Sequence, residues 1–313
     1  MTWVLALVVL ALGFPWGAAL VARRLALVLP PREASWALAG AAVLLAGGTT
    51  AALVGLFHVP FLAALERMSL AQVLAEWPAA VPFAGTAGAV LLVQAVLLVR
   101  RWARQRALLR RAWQLAGEGT GDGDVLVIPA ADVDAFALPA YQGRPGRVVL
   151  TSGTVRTLKA GEREVLLAHE RAHLAGRHHL LSAVVDLATV VHPALRGLRA
   201  SLAFHLERWA DESAARVMGD RRIAAAAIAR AALAGSSHRR GGAYPLLSAV
   251  NGPVPRRVEA LLRPEPTAPR GGARRAAVAL AGTVVVTAVA ALGLAYGLHE
   301  YVEYAARRLI GAE

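Results

Sequence analysis

Cysteine is absent from this sequence of 313 residues, and lysine occurs once, at Lys159. The lack of cysteine excludes disulfides and thiolate metal ligands, so any metal must be held by nitrogen and oxygen atoms. Charged residues are also scarce, at 18%, whereas hydrophobic residues make up 57% and the mean hydropathy is +0.49. This composition is too apolar for an ordinary soluble globular protein and indicates a membrane protein.

The few charges are unbalanced, with 34 Lys and Arg against 21 Asp and Glu and a formal net charge of +13. A nucleic-acid-binding surface would spread basic residues over one folded face, with aromatic or groove-reading elements between them. Here the arginines instead cluster beside apolar segments, which is how membrane proteins mark their cytoplasmic side. We therefore expect the lipid bilayer as a partner and no nucleic acid.

Four stretches are long and apolar enough to cross a bilayer as a helix, which takes about 20 residues. In chain order they are about residues 3–22, a span within 34–65, about 77–99 and about 276–298. Pro15 lies inside the first stretch, and membrane helices tolerate proline. A cleavable signal peptide is the alternative for this stretch, but no charged residue precedes it and Arg23 and Arg24 follow it.

Flanking arginines orient these stretches. They follow the first and third and precede the fourth: Arg23, Arg24 and Arg32; Arg100, Arg101, Arg104, Arg106, Arg110 and Arg111; Arg270, Arg274 and Arg275. By the positive-inside rule the N-terminus lies outside, residues from about 100 to 275 face the cytoplasm, and the tail 299–313 lies outside. The expected localisation is the cell membrane, with several passes.

The chain is expected to be a mainly α membrane protein, with an α+β domain inserted between spans three and four. The parts are three transmembrane helices (1–111), a cytoplasmic domain (112–262), a basic linker (263–275), the fourth span (276–298) and a short tail (299–313). Strand-like runs at 125–128 and 147–150 open the domain, and helical periodicity begins near Ala160. The apolar run 180–191 is too short to span, and we interpret it as a packed or membrane-skimming helix.

A metal-binding pattern lies in the helical part of this domain, at His169-Glu170-Arg171-Ala172-His173. Residues four apart share one face of a helix, so both imidazoles are placed to bind one zinc ion. Glu170 adjoins the first ligand and is placed to act as general base toward a water on the metal. Three fixed letters in five also recur by chance, and the alternative is a solvated helix with two surface histidines.

A catalytic zinc needs a third protein ligand and an open position. His179 fits the spacing of one class of zinc peptidases, and Glu207 is the other candidate. Asp211, one turn after Glu207, would share its face and could orient a zinc-bound histidine. An ordinary charged helix face is the alternative for this pair.

Four segments, 134–139, 146–153, 169–173 and 207–211, together resemble the gluzincin-type membrane peptidases. The layout is most similar to the antibiotic-sensing signal transducers of the BlaR/MecR type, which have three spans, a cytoplasmic zinc domain and a fourth span. The resemblance implies one zinc ion per chain held by His169, His173 and Glu207, with Glu170 as general base and Asp211 orienting a ligand. It also implies an edge strand for a substrate chain, formed by Arg147, Val148, Val149, Leu150 and Thr151. His178 and His179 are then interpreted as polar residues at the C-terminus of the zinc helix, where partly cationic imidazoles are favoured.

The same resemblance implies an endopeptidase that cleaves a cytosolic winged-helix repressor. The antibiotic sensors carry an extracellular ligand-binding domain after the fourth span, and only 299–313 follow it here, so a separate sensor protein is a candidate partner. Related peptidases stabilise the oxyanion near a His-Pro pair, and Asn251 is the candidate donor at the matching place, with a plain turn as the alternative. Two other functions stay open: a quality-control protease like HtpX, and a catalytically idle receptor or scaffold.

Overall fold

The computed structural model describes residues 2–121, 123–238 and 254–265, together with scattered helical positions between 275 and 308. Within these residues the chain is mostly helical, with one small sheet. The helices are α1 (Thr2–Ala26), α2 (Pro31–Leu65), α3 (Leu70–Glu76), α4 (Ala80–Ala116), α5 (Ser152–Thr157), α6 (Ala160–Ala175), α7 (His178–Val191), α8 (Arg196–Met218), α9 (Arg221–His238) and α10 (Val254–Leu262), and a 3-10 turn lies at Pro193–Leu195. The strands are β1 (Val125–Ile128), β2 (Ala135–Leu138) and β3 (Arg147–Thr151).

Two helices in the described part are long and apolar enough to cross a membrane, namely α2 and α4. They cover the second and third predicted spans, and α1 covers the first as a continuous helix of 25 residues. The third span differs from the prediction because Trp77 ends α3, a short helix that begins with a capping box between Ser69 and Gln72. The fourth predicted span lies largely outside the described residues, so the number four stays a prediction.

Helix α4 is longer than the span that was predicted for it and runs into the following domain. It has 37 residues, and its last turns pack Ala112, Trp113 and Ala116 against the sheet. The Trp113 indole donates a 2.9 Å hydrogen bond to the Pro139 carbonyl oxygen. The boundary predicted between residues 111 and 112 therefore falls inside a continuous helix.

The sheet has the order β1-β3-β2, with β3 parallel to β1 and antiparallel to β2. The prediction that Arg147–Thr151 forms an edge strand is wrong, because β3 has a neighbour on each side. Val148, Val149 and Leu150 are all buried, which is the pattern of a central strand with both faces covered. The strand at the edge next to α6 is β2, which had not been predicted as a strand.

Two of the helices that follow the sheet, α7 and α8, share one hydrophobic core with the first two helices, α1 and α2. Apolar residues of α1, α2, α7 and α8 form a single buried cluster, which includes Ala22, Leu38, Leu45, Val185 and Leu198. Helix α7 is thus a packed helix, with Leu181, Val185 and Ala188 buried. This packing joins α8, which carries part of the site described next, to α1 and α2.

Candidate metal centre

Helix α6 places His169 and His173 one turn apart on a buried face. Their Nε2 atoms lie 3.1 Å from each other, and the two rings meet edge to face. Val165 and Ala168 on the same helix are buried against α8 and α9, which fixes the side of α6 that carries the two rings. Both imidazoles therefore direct a nitrogen toward one point.

Helix α8 brings Glu207 to the same point. One carboxylate oxygen lies 3.6 Å from Nε2 of His169, and the other lies 3.5 Å from Nε2 of His173. Each of the three residues offers one donor atom, and these atoms all lie within 4.8 Å of one another. The third residue of this group is Glu207, and His179 is not a member of it, although it lines the same cavity.

The donor set fits a tetrahedral metal ion. Ligand atoms about 2.0–2.2 Å from zinc lie about 3.3–3.6 Å from each other in that geometry. The two ring nitrogens lie 3.1 Å apart, close to this range, and each lies 3.5 or 3.6 Å from one of the two Glu207 oxygens. Two nitrogens and one oxygen also match the prediction from the absence of cysteine, so this group could hold a metal ion.

The carboxylate of Asp211 lies behind His169, with Oδ1 3.0 Å from the ring Nδ1. The contact orients the ring so that Nε2 points to the metal-binding point. Carboxylates commonly orient metal-binding histidines in this way. Burial lowers the pKa of His169, but the contacts with Asp211 and Glu207 outweigh it and raise the pKa to about 10. The two carboxylates therefore favour a positive charge at this ring, and a bound metal cation would supply one in place of the proton.

The side chain of Arg257, on α10, holds both carboxylates of α8. Its guanidinium lies 2.6 Å from Glu207 Oε2 and donates two hydrogen bonds to Asp211, of 2.6 and 2.8 Å. All three residues are buried, with Arg257 only 4% exposed. The pKa of Asp211 is lowered to about 2 because the contacts with Arg257 and His169 outweigh its burial.

The sequence analysis had not predicted this role for Arg257. An arginine on the apolar face of α10, beside Val258 and Leu261, was the available signal.

The second metal-binding candidate on α6, His173, is held by His178. Their Nδ1 atoms lie 2.8 Å apart. If Nε2 of His173 faces a metal, its Nδ1 carries the proton and donates to His178, which must be neutral to accept it. Burial, with a smaller effect of His169, lowers the pKa of His178 to about 3, so the ring is neutral.

The local backbone explains how His178 reaches this place. Arg177 adopts a left-handed conformation, with φ of 50°, and turns the chain sharply from α6 into α7. Gly176 leaves room for the His178 ring, since a Cβ there would lie 2.4 Å from its Nε2. The ring lies between His173, which it meets edge to face, and Trp209, against which it is tilted. The interpretation of His178 as a cationic residue at the end of the zinc helix is therefore wrong.

Glu170 lies in a cavity of about 310 Å³ beside the metal-binding group. Burial raises the pKa of its carboxyl to about 7, against the opposing effects of His169 and of the Ala137 backbone N–H. Ala135, Phe136 and Ala137 of β2 line the same cavity. The edge strand of the sheet and a carboxyl group thus face the metal-binding group across one open space.

Another predicted site element does not join this group. The strand Arg147–Thr151 is the central strand and its place at the cavity is taken by β2. Asn251, the candidate oxyanion donor, lies outside the described residues.

Residues 100–233 match the family model described as Peptidase family M48, a zinc metallopeptidase family. The matched stretch includes α6 and α8, and with them His169, Glu170, His173, Glu207 and Asp211. Searches of the curated proteins and of the solved structures gave no match.

We predict that Arg257→Gln destabilises the protein by about 3–5 kcal/mol, because two buried carboxylates lose their cationic partner. Arg256→Gln is the matched control. This neighbouring arginine is exposed over the Phe204 ring, and its loss should cost less than about 1 kcal/mol. Thermal unfolding of the full chain in detergent measures both. Equal decreases in melting temperature would contradict the assignment of Arg257.

We predict that His178→Ala weakens metal affinity about 10–100-fold, because His173 loses the acceptor that orients it. His179→Ala is the control at the adjacent position. The metal affinity of this variant should stay within about twofold of the wild type, because His179 does not orient a metal-binding residue. Competition with a chromophoric chelator measures the affinities. A large loss in His179→Ala with none in His178→Ala would restore His179 as a ligand.

Proposed function

We propose, from the match to Peptidase family M48 and the convergence of His169, His173 and Glu207 beside Glu170, that the protein is a membrane-embedded zinc endopeptidase. The convergence is the observation that carries the proposal, because α6 and α8 bring three donors of the right kind to one point from positions about 40 residues apart in sequence. An ordinary pair of surface histidines would be exposed, whereas His169 is 5% exposed and Glu207 7%.

The residues around the metal site have distinct roles in this proposal. The chemistry that zinc supplies when bound is Lewis acidity, which lowers the pKa of a water molecule in its open position to about 7. The Glu170 carboxylate takes a proton from the attacking water and returns it to the leaving amine. Asp211 and His178 hold the rings of His169 and His173 in place, and Arg257 holds Glu207 and Asp211.

The substrate segment is proposed to bind along β2 in an extended conformation. β2 pairs with β3 on one side, and its residues 135–137 line the cavity that also contains Glu170. An edge strand offers backbone N–H and C=O groups to a peptide, which is a common way of binding extended chains. Recognition through the backbone suits an endopeptidase, since it does not need a chain terminus.

The membrane placement supports a cytoplasmic active site. Helices α2 and α4 are long and apolar enough to span, and α4 ends its apolar part at Arg100 and Arg101. By the positive-inside rule the side on which these arginines lie is the cytoplasm, and α6 and α8 follow on that side. We propose that the peptidase acts there, on a regulatory protein such as a winged-helix repressor, with a quality-control protease like HtpX as the alternative.

We predict that Glu170→Gln lowers peptide hydrolysis about 10²–10⁴-fold while the metal content stays unchanged, because the general base is lost and the ligands remain. Glu164→Gln is the matched control, an exposed glutamate on the same helix, and it should keep full activity. The assay uses the zinc-loaded full chain in detergent with a fluorogenic peptide mixture. Undiminished hydrolysis in Glu170→Gln would refute its role as base.

The same preparation separates the two substrate classes. A regulatory protease should leave unfolded casein intact and cut one partner at one site, whereas a quality-control protease should degrade casein at many sites. A metal-free chain without hydrolysis in either assay would favour the idle receptor.

A further inference from the structure

A second cavity, of about 580 Å³, lies outside the metal centre, between α4, α7 and the start of α8. Five arginines line it: Arg100, Arg101 and Arg104 from α4, and Arg196 and Arg199 from α8. The arginines that mark a cytoplasmic membrane side ordinarily need no common geometry. Here the arginines come from two helices that are far apart in sequence, and they surround one cavity. The positive-inside rule alone does not require such an arrangement.

The charge around this cavity is not balanced. Asp186 on α7 accepts two hydrogen bonds of 2.5 Å from Arg101 and lies 3.2 Å from Arg199. No ion pair joins Arg100, Arg104 or Arg196 to a carboxylate among the residues that the structure describes. Two of the five arginines thus share the carboxylate of Asp186 and three have no carboxylate partner among the described residues, so the cavity attracts an anion.

The basic cavity is also held in a fixed shape. Gln105 donates a 3.0 Å hydrogen bond to Asp186, and the Gln94 side chain donates a 2.9 Å hydrogen bond to the Val191 carbonyl oxygen at the end of α7. These contacts tie α7 to α4 on both sides of the cavity. The helices that carry the arginines are thus held in place, and a phosphate group suits these residues because its oxygens accept paired hydrogen bonds from guanidinium groups.

The position of the cavity decides between a lipid and a free anion. Arg100 directly follows the apolar part of α4, and Leu97 and Val190 form an apolar side of the same cavity. About one and two turns before Arg100 in α4, Val96 and Val93 are exposed apolar residues, as expected of a surface that faces acyl chains. A phosphate held by the arginines would thus have an apolar surface directly beside it.

We propose that this cavity binds the phosphate headgroup of an anionic phospholipid, with an acyl chain along Leu97 and Val190. Basic pockets between helices at the membrane surface are a known way of holding such headgroups. The inference rests on the membrane placement within the proposed function and does not depend on the peptidase chemistry.

The test compares two triple variants of the full chain in detergent. Arg100→Gln, Arg104→Gln and Arg196→Gln together remove the three arginines without ion pairs from the cavity. Arg106→Gln, Arg110→Gln and Arg111→Gln together remove the same charge from the exposed surface of α4 outside it. Binding of fluorescent phosphatidylglycerol and of fluorescent phosphatidylcholine is titrated for each protein, with inorganic phosphate as competitor. Circular dichroism of the same samples shows whether each variant is folded, and metal content is measured beside it.

We expect the wild type and the surface variant to bind phosphatidylglycerol at least about tenfold more tightly than phosphatidylcholine, and the cavity variant to lose this preference. Equal loss in both triple variants would overturn the proposal, because net charge alone would then explain the binding. Displacement of the lipid by millimolar inorganic phosphate would also overturn it, in favour of a free anion. An unmutated chain that binds no metal but keeps the lipid preference would count against the proposed peptidase and leave this inference standing.

Discussion

Two buried carboxylates on one helix, Glu207 and Asp211, constrain the rest of the metal centre. An unpaired carboxylate costs several kcal/mol to bury, so α8 can lie in the core only if positive charge meets both groups. Arg257 supplies it from α10, and the side that faces α6 presents His169 and His173. A divalent cation between these rings and Glu207 would complete the compensation. The burial of α8 and the proposed affinity for a metal thus have one physical cause.

The site is also coupled to the helices that are proposed to lie in the membrane. Helix α7 begins at His178, which contacts a metal-binding candidate, and ends at Val191, whose carbonyl oxygen is bonded by Gln94 of α4. Directly after it, the His192 ring accepts a hydrogen bond from the Ala194 backbone N–H, so its other nitrogen donates to the Leu12 carbonyl oxygen of α1. One helix of 14 residues therefore connects the metal centre with both α1 and α4. We expect a change in the packing of α1 or α4 to shift α7 and, through His178, the position of the His173 ring.

The sequence was sufficient where spacing along one helix determines geometry. The four-residue spacing placed His169 above His173, and the same spacing aligned Glu207 with Asp211 on α8, because residues four apart share a helix face. It was insufficient where contacts join distant segments. The order of the strands could not be predicted from the run 147–151. Only its continuous apolar residues, Val148 to Leu150, are typical of a central strand. The role of His178 depends on the left-handed turn at Arg177, and that of Arg257 on a contact across 46 residues of chain. The role of His178 leaves no local pattern, and the only local signal for Arg257 is its place on the apolar face of α10, which does not identify its partners.

Elemental analysis of the full chain, purified with its metal retained, tests the central claim most directly. The account predicts about one zinc ion per chain, lost when either His169 or Glu207 is replaced by alanine, because a tetrahedral site with an open position needs all three protein ligands. Zinc that is retained in Glu207→Ala would contradict the account, because Glu207 would then not be a ligand. An unmutated chain that binds no zinc would contradict it as well, because the three residues would then not form a zinc site.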